Sequence, residues 1–197
     1  MEKKEIVIAS TNQGKIREFK EMLEPEGYVV KSLADICDMP EIPETGTTFE
    51  ENAVIKAQAV TDHCGIMAIA DDSGLSIDAF NGEPGIYSAR YLGHDTSYEY
   101  KNRVILERMA GKTQRDCHYT CAIAVTRPNF DPVVFSEICA CEIADAPKGK
   151  NGFGYDPIVY YPPLGKTMAE MTKDEKNAIS HRGKALRKFE AWLNEQD

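Results

Sequence analysis

Apolar positions along the chain switch repeatedly between strand-like runs and helical spacing. Residues 5–9 (EIVIA) read as a short buried strand, the following STNQGK as a turn, and Ile16, Phe19 and Leu23 as one stripe of a helix that Pro25 and Gly27 end. Residues 28–33 predict a second strand. Thr47 and Thr48 each have a glutamate three residues on, two overlapping capping boxes. The helix they open, residues 49–64, buries Phe49, Ala53, Ala57, Val60 and Cys64, with Asn52 and Lys56 four apart on another face. Residues 66–70 predict a third strand that stops at two adjacent acids, Asp71 and Asp72.

Asn81-Gly82 and Pro84-Gly85 mark turns, and residues 96–110 read as a helix. Two strand-like runs, 118–127 and 132–144, flank RPNFDP and predict a β-hairpin. The Gly-rich KGKNGFGYDP precedes a short strand at 158–161. Thr172 and Glu175 form a further capping box, and Ser180 caps a last helix striped by Leu186, Phe189 and Leu193, with Trp192 beside them. Strand-helix-strand order followed by consecutive strands argues for an α/β fold on a mixed sheet. No internal repeat, linker or low-complexity tract interrupts it.

At 197 residues the chain suits one domain, able to bury a core without staples. A net charge of -9 argues against wrapping a polyanion such as nucleic acid or an anionic membrane, and leaves room for a small phosphorylated ligand held by a few local cations or a metal. The start, MEKKEIVIAS, is too short and charged for a signal peptide, and no stretch approaches the roughly 20 apolar residues of a membrane helix. A cytoplasmic location is expected, with the six cysteines as thiols. Cys117, Cys121, Cys139 and Cys141 fall in two strand-like runs, a placement open to a zinc reading. Without CxxC spacing, small buried hydrophobes are the favoured reading.

Ser10, Thr11, Asn12, Gln13, Gly14 and Lys15 follow a strand and open a helix, where free N–H groups and the helix dipole attract anions. The plainer reading is an Asn cap with an exposed lysine. Neighbouring strand residues face opposite ways, so Asp71 and Asp72 are expected to do different work, one facing a ligand as a Mg²⁺ holder or proton acceptor. Against this, DDSG is also turn chemistry. Residues 35–52 carry six acids and no Lys or Arg, and Glu44, near the helix start, is preferred over Glu41 as a metal partner. Phe153, Gly154, Tyr155 and Asp156 suit the approach and stacking of a flat ligand, or an ordinary glycine-rich turn. Lys176, His181 and Arg182 form a cationic cluster. A helix break at Ser180 would turn the last two toward a ligand, and a solvated basic face is the alternative.

Five segments together resemble one family: ASTNQGKIREF, ETGTTFEENAVIKA, IADDSGLSIDAFNGEPGIYSARY, GFGYDPI and DEKNAISHRGKAL. In that order, and over nearly the whole chain, they are similar to the inosine triphosphate pyrophosphatase family, in particular its bacterial dITP/XTP pyrophosphatases. Residues 96–147, which hold most of the cysteines, match loosely, and the cysteines are not expected to serve the chemistry.

The resemblance implies an elongated, twisted mixed sheet flanked by helices, a single domain over 1–197 with two lobes and a central cleft, and a homodimer. It implies hydrolysis of ITP, dITP or XTP at the α–β phosphoanhydride, giving monophosphate and pyrophosphate. Asp72 is implied as the catalytic carboxylate and Mg²⁺ ligand, and Glu44 as its metal partner, although Pro43 stands where some relatives have a second glutamate. Residues 10–15, Lys56 and Ser73 are implied as triphosphate binders. Residues 153–156 would lie along base and sugar, and Lys176, His181 and Arg182 would read the 6-keto edge of the purine. A nucleotide sensor without turnover, and a pyrophosphatase for modified pyrimidines, are the competing functions.

Overall fold

The computed structural model describes residues 4–36 and 39–196. Among them, seven strands form one mixed sheet in the order β2-β1-β3-β4-β5-β6-β7. These are β1 (Lys4–Ile8), β2 (Tyr28–Ser32), β3 (Ala68–Ile77), β4 (Asp116–Thr126), β5 (Val133–Ile143), β6 (Val159–Tyr161) and β7 (Lys166–Thr167). β1 runs parallel to β2 and β3, while β6 runs antiparallel to β5 and β7. The helices are α1 (Gln13–Leu23), α2 (Phe49–Cys64), α3 (Tyr98–Met109), α4 (Lys173–Ile179) and α5 (His181–Asn194). The fold is α/β, as the alternation of patterns predicts.

Two compact units share the chain: Met1–Asp72 with Cys121–Ser136 and Ala185–Asp197, and Ser73–Thr120 with Glu137–Lys184. Strands β3, β4 and β5 contribute residues to both.

In the first unit, strand alternation sorts side chains onto two faces. Ile6, Ile8, Ile69, Cys121, Ile123 and Val125 pack with Phe19 and Leu23 of α1 and Leu186 and Phe189 of α5. Val7, Ala9, Ala68, Ala70, Ala122 and Ala124 pack with Ala53, Ala57 and Val60 of α2. Alanine on both sides of that second contact lets α2 approach the sheet closely. Thr48 caps α2, its side chain accepting from Glu51 N, an interaction worth about 1 kcal/mol. Glu51 reaches back to Thr47 N, so the two sequence boxes merge into one.

The second unit has its own core, in which Ile105 and Met109 of α3 meet Leu75, Ile77, Cys117, Tyr119, Cys139, Cys141, Ile158 and Met168.

β3 differs from expectation. It does not stop at the acids but runs through Asp71, Asp72, Ser73 and Gly74 to Ile77. The strand that ends beside the acids is β1, whose pairing with β3 reaches Ala9 N to Ile69 O at 2.7 Å. Farther along β3, segment 83–88 supplies partners: Leu75 N donates to Ser88 Oγ at 2.9 Å and Ile77 N to Glu83 O at 3.1 Å. With its backbone groups satisfied from new neighbours, the chain has no reason to turn at DDSG.

Candidate active site

Where β1 gives way to α1, Asn12 caps the helix by accepting from Lys15 N at 3.1 Å, and Ser10 Oγ accepts from Asn12 N at 3.1 Å. Thr11 and Gln13 are exposed, Gly14 and Lys15 half-buried. The cap leaves Lys15 reaching past the end of β1 to Asp71 on β3, Nζ to Oδ1 at 2.5 Å.

The two acids are both buried and do take different partners. Asp71 follows Ile69 in alternation, onto the face covered by α1. There it holds Lys15, and its Oδ2 accepts from the Cys121 thiol at 3.0 Å. Asp72 follows Ala70, onto the face covered by α2, and meets Lys56 at 3.0 Å. Lys56 Nζ also donates to Asp71 O at 2.9 Å and lies 3.3 Å from Glu44 Oε1. One ammonium therefore gathers Asp72, Glu44 and a backbone carbonyl. Glu44 is half-buried, whereas Glu41 is exposed.

Burial pushes the Asp72 carboxyl above its ordinary range, and Lys56 and Lys15 offset only part of that. Burial alone would lower Lys56, but Asp72, Glu44 and Asp71 together outweigh it and hold the ammonium charged. Asp72 Oδ2 is buried and has no hydrogen-bond partner. A hard cation or a polarised water satisfies such an oxygen. Two carboxylates are a magnesium-type donor set, with water and phosphate completing the shell. Among the described residues no group of three or more His, Cys, Asp or Glu is placed to hold a metal ion.

The second unit holds the other predicted residues. α4 ends at Ser180, whose N–H donates to Lys176 O at 2.8 Å. Ser180 Oγ accepts from Gly183 N at 3.1 Å and starts α5. A Cβ on Gly183 would lie 1.9 Å from Asn177 O, so the tight junction requires glycine. The break turns Lys176, His181 and Arg182 inward, all three buried, which excludes the solvated basic face.

Lys176 Nζ meets Asp156 Oδ2 at 2.7 Å and lies 5.0 Å from the Phe153 ring centroid. Arg182 lies 5.8 Å from that centroid and donates to Ser73 Oγ at 2.9 Å. Phe153, half-buried, is thus a ring set beside two cations. Ser73, expected among the phosphate residues, here orients Arg182.

Asp156 and Tyr155 are both held by protein partners. Both are buried. Asp156 accepts from Phe153 N at 2.9 Å and from Tyr119 OH at 3.0 Å. It fixes the loop and Lys176 because a buried carboxylate must be paired. Tyr155 donates to Ser88 O at 2.6 Å and meets the edge of Tyr98. Asn102 of α3 holds Gly154 O at 3.1 Å.

Sequence reasoning missed Tyr119, which stacks on His181 and donates to Asp156. Burial and the Asp156 charge push its phenol far up, so it remains a donor. The one available signal was its place two residues before Cys121 on a period-two strand. Cys121 donates to Asp71, the neighbour of Asp72. Cys117, Cys139 and Cys141 belong to the core of the second unit and Cys121 to that of the first, which fits the reading as small hydrophobes. Cys37 lies outside the described residues.

Residues 6–192 match the Ham1 family. The chain is 50% identical over 192 residues to a dITP/XTP pyrophosphatase of Bacillus subtilis, covering 96% of this chain and 97% of that one. It is 46% identical over 188 residues to a dITP/XTP pyrophosphatase of an Exiguobacterium species, covering 95% and 96%. Its fold is similar to the solved structure of the Staphylococcus aureus Ham1 protein, with a TM-score of 0.88 at 45% identity, covering 98% of this chain and 100% of that one.

Proposed function

The chain belongs to the Ham1 family, and we propose that it hydrolyses non-standard purine nucleoside triphosphates, ITP and dITP, XTP and dXTP, to the monophosphate and pyrophosphate. The observation that carries this reading is the buried, half-satisfied carboxylate of Asp72 beside Lys56 and Glu44. A module that only binds nucleotide could dispense with such an acid. Relatives named dITP/XTP pyrophosphatase over nearly the same length support the substrate class.

The α1 start, residues 10–15, receives phosphate oxygens through its N–H groups, with Lys15 and Lys56 neutralising their charge. Asp72 orients a water and takes its proton at Oδ2. A carboxylate raised by burial is the stronger base for that task. Lys56 holds the other Asp72 oxygen and keeps the acid from swinging away. Magnesium fits the donor set, with Glu44 and Asp72 as its holders; when bound it supplies charge neutralisation to the triphosphate and the leaving pyrophosphate.

The Phe153 face receives the purine. Arg182, with Lys176 and His181, donates to a 6-keto oxygen and leaves an adenine amino group badly matched. Asp156, Tyr155 and Tyr119 position these groups from behind. Residues 1–197 serve as one catalytic domain, in a cytoplasmic homodimer. No helix among the described residues is long and apolar enough to cross a membrane.

The test is a rate panel of ITP, dITP, XTP, ATP, GTP and modified pyrimidine triphosphates, with and without Mg²⁺, reading pyrophosphate release. Preference for ITP, dITP and XTP with dependence on the metal is expected. Tight nucleotide binding without pyrophosphate release would turn the reading into a sensor, and faster pyrimidine turnover would move the substrate class.

A further inference from the structure

Asn52 is wholly buried on α2, one turn before Lys56, and nothing above uses it. Its Oδ1 accepts from Gly46 N at 2.8 Å. Its Nδ2 is buried and has no hydrogen-bond partner. An apolar residue would fill this place without leaving a donor unsatisfied but would lose the Oδ1 bond to Gly46 N, so the work of this amide lies in Oδ1.

Oδ1 grips the loop two residues beyond Glu44. The fit is close: a Cβ on Gly46 would lie 2.7 Å from Asn52 Oδ1 and 2.7 Å from Glu51 Cβ. Thr47 N is held in turn by Glu51 Oε2 at 2.6 Å. One helix therefore holds this loop twice by its backbone. Through Lys56 on the next turn it also holds the Glu44 carboxylate itself.

We propose that Asn52 is a positioning residue for the divalent-cation site: its hydrogen bond to Gly46 sets Glu44 at the distance from Asp72 that the ion needs. The inference rests on the functional reading above for the identity of the ion. α2 works as a ruler, its Lys56 fixing Asp72 and its Asn52 fixing the loop. The small residue at 46 is required because any side chain there would push the loop off the ruler. Groups that hold a metal ligand in place affect metal affinity by about 10–100-fold when removed.

The test uses the full chain and Mn²⁺ alone, with free ion read by electron paramagnetic resonance. Asn52→Leu and Gly46→Ala disturb the same contact from its two sides, and Gly46→Ala decides should Asn52→Leu not fold. Each is expected to weaken Mn²⁺ binding by about tenfold in a protein that remains folded. Pyrophosphate release should be regained when Mg²⁺ is raised. In a Glu44→Gln background the Asn52→Leu effect is expected to vanish, because the two act through one carboxylate. Unaltered Mn²⁺ affinity in both single variants, additive losses in the double variant, or no Mn²⁺ binding by the unmodified chain would each overturn the proposal. Failure of the functional reading shows separately, as absence of pyrophosphate release by the unmodified protein.

Discussion

The His181 ring lies flat on that of Tyr119, 4.6 Å between centroids and 14° between planes, and the same tyrosine donates to Asp156. One residue from the middle of β4 thus sets both an imidazole at the start of α5 and the carboxylate that holds Lys176. Tyr119→Phe keeps the stack and loses the hydrogen bond to a carboxylate, at a cost of about 1.5–3 kcal/mol. Tyr119→Ala loses both. For ITP, KM is expected to rise modestly in the first variant and further in the second, with kcat largely kept. Steady-state kinetics on the two variants checks this, and a fall in kcat at constant KM would assign Tyr119 to the chemical step.

Asp72→Asn is expected to lower kcat by about 10²–10⁴-fold, the usual worth of a general base, while sparing the fold. The sign of the pH effect follows from burial, which raises the folded-state pKa of Asp72 above its unfolded value. The stability this group contributes is full below the unfolded pKa and lost as pH rises through the raised folded one. The melting temperature of Asp72→Asn relative to the unmodified chain should therefore increase with pH across that window. Thermal melts from acid to neutral pH without metal check it, and the opposite slope would show that Lys56 and Lys15 outweigh burial.

Arg182→Ala removes a buried guanidinium held by Ser73 and set beside Phe153. The ratio of kcat/KM for ITP over ATP is expected to fall by about tenfold or more, the worth of one charged hydrogen bond. The two specificity constants, measured side by side, decide it; an unchanged ratio would remove Arg182 as the reader of the 6-keto group.

Asp156→Ala leaves the Lys176 ammonium buried without its carboxylate, and breaking such a pair costs about 3–5 kcal/mol. The denaturant midpoint should drop strongly. Asp156→Asn, whose single oxygen can still accept from Phe153 N while its amide N–H can donate to the Tyr119 oxygen, should drop less. Urea unfolding of the two variants tests this. Near-native midpoints for both would mean that Asp156 is not the residue holding the loop.

The amino-acid order by itself determined the local elements and their faces. The caps at Thr48 and Thr172, the α5 stripe and the break at Ser180 depend on neighbours within a few residues and stand as the spacing predicts, as do Ala53, Ala57 and Val60 of the α2 stripe, whose ends Phe49 and Cys64 are only partly buried. Alternation alone placed Asp71 and Asp72 on opposite faces, and the joined motifs pointed to the family. Tertiary structure decided which helix covers each face, and so which acid meets Lys15 and which meets Lys56. It decided that β3 continues past the acids, because 83–88 satisfies a backbone that β1 has left. It also gave Asp156 its buried partners, Lys176, Tyr119 and Phe153 N, and brought Tyr119 to His181. Periodicity records which way a side chain points relative to its neighbours. What waits there depends on partners tens of residues away in the chain, and only the packed fold brings those together.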